Sequence, residues 1–86
     1  MPSKKPDVCA FRSKFGLNLQ NLRKQRGYTQ EALAEQTGMS GRYLQSLEAG
    51  EYFPALPNLV RLKKVLACDW NDLFAGVEMD VHSPEE

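Results

Sequence analysis

Little in this sequence suits chemistry on a substrate. It has one histidine, His82, and two cysteines, Cys9 and Cys68, in 86 residues. So small and scattered a set does not supply the ligands of a zinc site, and no metal or other cofactor is expected. No Ser/His/Asp set and no glycine-rich phosphate loop occurs. Glu31, Glu35 and Asp72 read as acids on solvated faces, not as an acid–base constellation. The expectation is a protein that is not an enzyme and takes no small-molecule substrate.

A run of about 18 apolar residues is also missing, so no membrane span is expected. The basic start, Met1-Pro2-Ser3-Lys4-Lys5-Pro6, lacks the apolar stretch that follows in a secretory signal. The expected compartment is therefore the cytoplasm, whose reducing conditions disfavour a Cys9–Cys68 disulfide. Cys68, in the apolar run Val65-Leu66-Ala67-Cys68, reads as a small buried hydrophobe. Strand-like alternation, internal repeats and low-complexity blocks are absent as well.

Net charge is zero, which by itself speaks against a nucleic-acid partner, but the charge is unevenly spread. Residues 1–50 hold eight Lys/Arg against four acids, a balance of +4, and residues 51–86 hold three against seven, a balance of −4. One basic face and one acidic end fit that split, although chance segregation of surface charge also produces it.

What is present is helical periodicity. Residues 1–10 read as a flexible arm, polar and rich in charge and proline. From about Phe11 to Arg26, Phe11, Phe15, Leu19 and Leu22 recur at helical spacing, and Gly27 ends the helix as a left-handed cap. Thr29 caps a second helix, with Glu31 favourable to its dipole and Leu33 and Ala34 facing inward. Position 32 is alanine, so the capping box is incomplete. Gly38 stops this helix.

Ser40 caps a third helix running to about Ala49 and stopped at Gly50. Residues 51–56 read as a loop around Pro54. A fourth helix is expected with Pro57 in its first turn and Leu56 as a poor cap. Its apolar stripe is Leu59, Leu62, Val65 and Leu66, opposed by Arg61, Lys63 and Lys64. Asp69 caps a short fifth helix, Trp70 to about Ala75, with Trp70, Leu73 and Phe74 on its inner side. The arrangement expected is an all-α domain over residues 11–76, followed by a flexible acidic tail over 77–86.

The third helix has two distinct sides. Leu44 and Leu47 point one way, and Arg42, Gln45 and Ser46 point the other. A helix held by its back and showing donors and acceptors on its front can enter the DNA major groove.

Leu22-Arg23, Thr29-Gln30, Leu33-Ala34, Gly38, Tyr43-Leu44, Leu47-Glu48, Gly50, Pro54, Leu59, Leu62, Leu66 and Leu73 come in an order and at spacings that resemble the Cro/C1-type helix-turn-helix family. This is also called the XRE family and has the lambda-repressor-like fold of five helices. The resemblance covers about residues 15–75. It implies double-stranded DNA as the partner and a transcriptional regulator, a repressor, bound as a homodimer to a near-palindromic operator.

The family's roles carry over position by position. Gly41, Arg42, Gln45 and Ser46 fall where the family reads bases. Gln30 falls where it binds a phosphate and braces the recognition helix. Tyr43 matches a position that touches phosphate, or else it packs at the junction with the second helix. Lys24 and Arg26, with Lys4 and Lys5 of the arm, add backbone contacts. Arg23 and Glu48 match a buried structural ion pair. Two positions depart from the pattern: Gly41 offers no side chain, and Glu51 is acidic where relatives carry a base. The rival reading is a protein-interaction module, such as an antitoxin or polymerase-binding adaptor, in which DNA is secondary.

Overall fold

A computed structural model describes residues 8–77, with side chains from Phe11 onward. The arm residues Lys4 and Lys5, the Cys9 side chain, and the tail beyond residue 77 with His82 lie outside the described residues. Five helices follow one another: α1 Val8–Gln25, α2 Gln30–Thr37, α3 Gly41–Glu48, α4 Leu56–Leu66 and α5 Trp70–Phe74. The described residues contain no strand.

Local chemistry sets the helix ends. Gly27 at φ 81° closes α1, in the left-handed region that costs a glycine nothing. The Thr29 hydroxyl accepts from the Ala32 amide at 3.0 Å, and the Ser40 hydroxyl accepts from the Tyr43 amide at 3.0 Å. Each satisfies one of the orphan donors of a first helical turn. Between them, Gly38 at φ 77° ends α2, and its amide and that of Met39 bond back to the last turn. The turn between α2 and α3 is thus three residues, Gly38-Met39-Ser40, and it sets the two helices at a fixed angle.

Two boundaries differ from the sequence reading. α1 begins at Val8, so residues 8–10 belong to the helix and not to an arm; nothing after Pro6 interrupts a helix there. α4 is capped by Ala55, not Leu56, and has no side-chain cap bond. Pro57 then falls in the first turn, where its missing N–H has no partner to lose.

The core comprises Phe15, Leu19 and Leu22 of α1, Leu33 and Ala34 of α2, Leu44 and Leu47 of α3, Leu59, Leu62 and Leu66 of α4, Cys68, and Leu73 of α5. Every helix contributes at least one fully or nearly fully buried leucine. α1 packs on α3 and α5, while α2 packs on α3 and α4. The connection read as a plain loop also enters the interior. Pro54 is buried, and the Phe53 ring meets Phe11 at 4.9 Å and Phe15 at 5.0 Å between centroids.

Trp70 does not join this core. It is 39% exposed, stacked on Phe74 at 6.1 Å with the Lys63 ammonium 5.4 Å from its ring centroid. A helix of five residues has too little circumference to bury three large side chains, and Leu73 and Phe74 take the inner positions.

Candidate nucleic-acid interface

α3 is eight residues long, and its reverse side is fixed before its front is considered. Leu44 and Leu47 are both 0% exposed, and their rows at spacing three and four define the buried side of the helix. Arg42 and Gln45 are exposed, and Gly41 and Ser46 half-buried. Gln30 and Glu31 of α2 join Gly41, Arg42 and Gln45 around an open groove of about 450 Å³. Three of the four residues read as base-contacting, together with Gln30, therefore share one concavity. Ser46 stands outside it.

The angle of α3 is held by a network at its C-terminal end. Arg23 Nε donates to Glu48 Oε2 at 2.6 Å, and Arg23 Nη2 donates to Glu48 Oε1 at 3.1 Å. Both side chains are nearly buried, at 9% and 3% exposed. The third guanidinium nitrogen, Nη1, donates to the Tyr28 carbonyl at 2.9 Å in the α1–α2 turn. Gln30 Nε2 donates to Glu48 Oε1 at 2.9 Å. One carboxylate at the end of α3 is thus gripped from α1 and from the first residue of α2. Charged, two-pronged hydrogen bonds are short and directional, so they fix orientation as well as adding energy. An amide nitrogen carries two donors, and Glu48 takes one of Gln30's.

The backbone of α3 also meets α1 directly. A Cβ at Gly16 would stand 2.5 Å from the Glu48 carbonyl oxygen and 2.6 Å from that of Leu47. α1 and α3 approach this closely because residue 16 has no side chain. Gly41, in contrast, has open space around its Cβ position, which leaves the groove unobstructed.

Tyr43 sits at the edge of the contact side. Its ring packs half-buried against the core, and its hydroxyl accepts from Asn58 Nδ2 at 3.3 Å. The packing alternative thus describes its ring, while its oxygen reaches α4. Lys24 is exposed in the last turn of α1.

Arg26, expected as a DNA-backbone contact, has different partners. Its Nε donates to the Leu66 carbonyl at 2.6 Å and its Nη2 to the Ala67 carbonyl at 3.2 Å. It therefore caps the end of α4, where orphan carbonyls and the dipole favour a cation.

Asn18, Asn58 and Arg26 are the structural residues that the pattern did not single out in these roles. Asn18 Nδ2 donates to the carbonyls of Leu73 and Ala75, both at 2.8 Å, and ties α5 to α1. A polar residue on the inner side of α1 was the one available signal.

Among the described residues no three of His, Cys, Asp and Glu are grouped to hold a metal ion, and no helix is long and apolar enough to cross a membrane. A helix-turn-helix family model matches residues 19–73. The chain belongs to the Cro/C1-type helix-turn-helix family, a family of DNA-binding transcriptional regulators.

Its relatives agree with that membership. An uncharacterized HTH-type transcriptional regulator of Sinorhizobium fredii, y4dJ, is 38% identical over 68 residues, which is 79% of this chain and 88% of the relative. The restriction-modification controller protein C.AhdI of Aeromonas hydrophila superposes with a TM-score of 0.72 at 34% identity, over 76% of this chain and 98% of the other. SinR, a master regulator for biofilm formation solved in complex with DNA, superposes with a TM-score of 0.66 at 30% identity, over 70% of this chain and 97% of the other. In this Cro/C1-type chain, the helix-turn-helix proper is α2, Gly38-Met39-Ser40 and α3.

Proposed function

We propose that this regulator represses transcription by occupancy, binding a near-palindromic operator as a homodimer with α3 in the major groove. The observation that carries the reading is the groove shared by Gln30, Gly41, Arg42 and Gln45, on the front of a helix whose back is sealed by Leu44 and Leu47. Arg42 suits guanine O6 and N7, and Gln45 suits adenine N6 and N7. Ser46 reaches bases at the far end of the helix. Gln30 and Tyr43 take phosphate oxygens, and Lys24 adds charge beside them. Phosphate contacts set the register of the protein on the duplex, and base contacts set the sequence. Arg26 is left out of this set because α4 holds it.

One domain of this size touches few base pairs, so two are needed on one DNA face with their recognition helices about 34 Å apart. Leu56, Val60 and Lys63 follow one another at helical spacing along α4, and Leu56, Val60 and Trp70 are exposed. Lys63 links the row to Trp70. We assign this side to the second copy, since aromatic side chains are favoured in interface cores. Likeness to a restriction-modification controller fits control through the protein's own concentration.

The same exposed row supports a second reading, in which it holds a protein partner and the chain acts as an antitoxin or adaptor. The zero net charge and the exposed Glu51 point the same way. Selection of bound duplexes from a random DNA pool separates the two. The regulator reading requires inverted half-sites in the selected pool and affinity falling steeply with salt as counterions are released. Absence of any enriched sequence, with binding insensitive to salt, would overturn it.

A further inference from the structure

We propose that Asn58 is a positioning residue for DNA binding, one that holds the Tyr43 hydroxyl as a hydrogen-bond donor toward a backbone phosphate. The proposal rests on the reading of α3 as the DNA-contacting helix. Tyr43 lies in the first turn of α3, between exposed Arg42 and buried Leu44. Its ring is half-buried against the core, so the position of its oxygen is set by packing. It does not line the groove of Gln30, Arg42 and Gln45. It follows Arg42 of that groove, and its oxygen reaches α4, a place we assign to the backbone of the strand whose base edges the groove residues meet.

The hydroxyl has one proton to give and lone pairs with which to accept. Asn58, in the first turn of α4, presents its amide nitrogen to the phenol oxygen at 3.3 Å. An amide N–H can only donate. The Tyr43 proton is therefore turned away from Asn58 and is available to a partner that only accepts. A phosphate oxygen is such a partner. A hydroxyl that accepts one bond while donating another is also polarised into a stronger donor. Without Asn58 the hydroxyl rotates freely and either accepts from water or donates elsewhere. Asn58 itself, half-buried on a different helix, acts through Tyr43 and needs no contact with DNA.

The test is a double-mutant cycle with a fluorescent duplex selected by the unaltered protein from a random pool. Affinity is measured for the parent, Asn58→Ala, Tyr43→Phe and the double variant, over a range of salt. All measurements are made at a temperature where circular dichroism shows each variant folded. Asn58→Ala is expected to weaken binding about three- to tenfold, the size of one ordinary hydrogen bond, since the lost bond is the neutral one from Asn58 to the hydroxyl. The dependence of affinity on salt keeps its slope, because a neutral hydroxyl releases no counterion. Tyr43→Phe weakens binding at least as much, and adding Asn58→Ala to it costs nothing further.

A full loss from Asn58→Ala in the Tyr43→Phe background overturns the proposal, as does unchanged binding by either single variant. An Asn58→Ala protein that does not fold overturns it too, since the residue then serves the fold. Arg42→Ala and Gln45→Ala are run alongside. If they weaken binding while the Asn58 and Tyr43 variants do not, only this proposal falls. If none of the four matters, the α3 reading falls with it.

Discussion

The Arg23 guanidinium and the Glu48 carboxylate meet through two hydrogen bonds, at 2.6 and 3.1 Å, across the interface of α1 and α3. Gln30 adds a third donor to the same carboxylate at 2.9 Å. The helix proposed to carry the DNA-contacting side chains is thereby oriented from its far end. The near-complete burial of Arg23 and Glu48 makes the arrangement costly to half-dismantle.

Glu48→Ala leaves the Arg23 charge buried without its counter-charge, and breaking one partner of a buried pair costs about 3–5 kcal/mol. In a domain of this size each kcal/mol moves the melting temperature by about 4–8 °C. Thermal unfolding followed by circular dichroism should therefore show a drop of at least about 12 °C. A shift of a degree or two would mean that the pair is solvated in solution.

Arg42→Ala should do the opposite. The side chain is exposed on the groove side of α3, so the melting temperature stays within about 4 °C, as for surface changes away from structural features. Affinity for the best selected duplex falls by about 1–3 kcal/mol, and preference at one base pair relaxes. Uniform weakening across all sequences would make Arg42 a phosphate contact.

Much of this was legible in the chain because the decisive signals are local. Thr29, Gly38, Ser40 and Gly50 act on backbone within a few residues of themselves, so helix ends and the α2–α3 turn could be placed from sequence. The inner leucines repeat at helical spacing, and α3 could be split into a back and a front. What escaped were side chains whose partners are distant carbonyls. Arg26 bonds the Leu66 and Ala67 carbonyls, and Asn18 bonds those of Leu73 and Ala75. A carbonyl is the same on every residue, so no residue type at 66, 67, 73 or 75 announces the contact. Phe53 and Pro54 escaped for another reason: a proline-bearing connection reads as surface, and only the assembled helices show that it plugs one end of the core.

Gly16→Ala tests whether close approach outweighs propensity. Alanine is favoured over glycine inside a helix by about 1 kcal/mol, so an unhindered site would gain stability. Here the added methyl falls 2.5 Å from a backbone oxygen of α3, and backbone cannot swing aside as a side-chain tip does. Overpacking costs about 1–3 kcal/mol, so a net loss of up to about 2 kcal/mol is expected in urea unfolding. Gly41→Ala, with nothing near its Cβ, is the control and should not lose stability.

Cys68 should resist thiol reagents in the folded protein. Burial, reinforced by the nearby Asp72 carboxylate, pushes its thiol above the ordinary value of 9.0. The thiolate is the reactive form, so labelling at neutral pH is slow until urea unfolds the chain. The linked stability has a definite sign. The folded state keeps its thiol proton to higher pH than the unfolded state does. This contribution is therefore whole below pH 9 and declines as pH rises through the folded-state value. Rapid labelling of the native protein at Cys68, told apart from Cys9 by peptide mapping, would show that Cys68 is open to solvent.

Ala67→Gly should raise stability, and Arg26 should determine by how much. Ala67 closes α4 at φ 52°, a left-handed conformation that costs a residue with a Cβ about 1–2 kcal/mol. Glycine removes that cost but gives the unfolded chain more freedom, which takes back about 0.4–1 kcal/mol. The net expectation in chemical unfolding is a gain of up to about 1.5 kcal/mol. The Arg26 bonds to the Leu66 and Ala67 carbonyls hold this terminus in place despite its strain. Arg26→Ala should thus destabilise the parent more than it destabilises Ala67→Gly, in which the turn is already relaxed. Equal losses in the two backgrounds would show that the arginine and the strained alanine act independently.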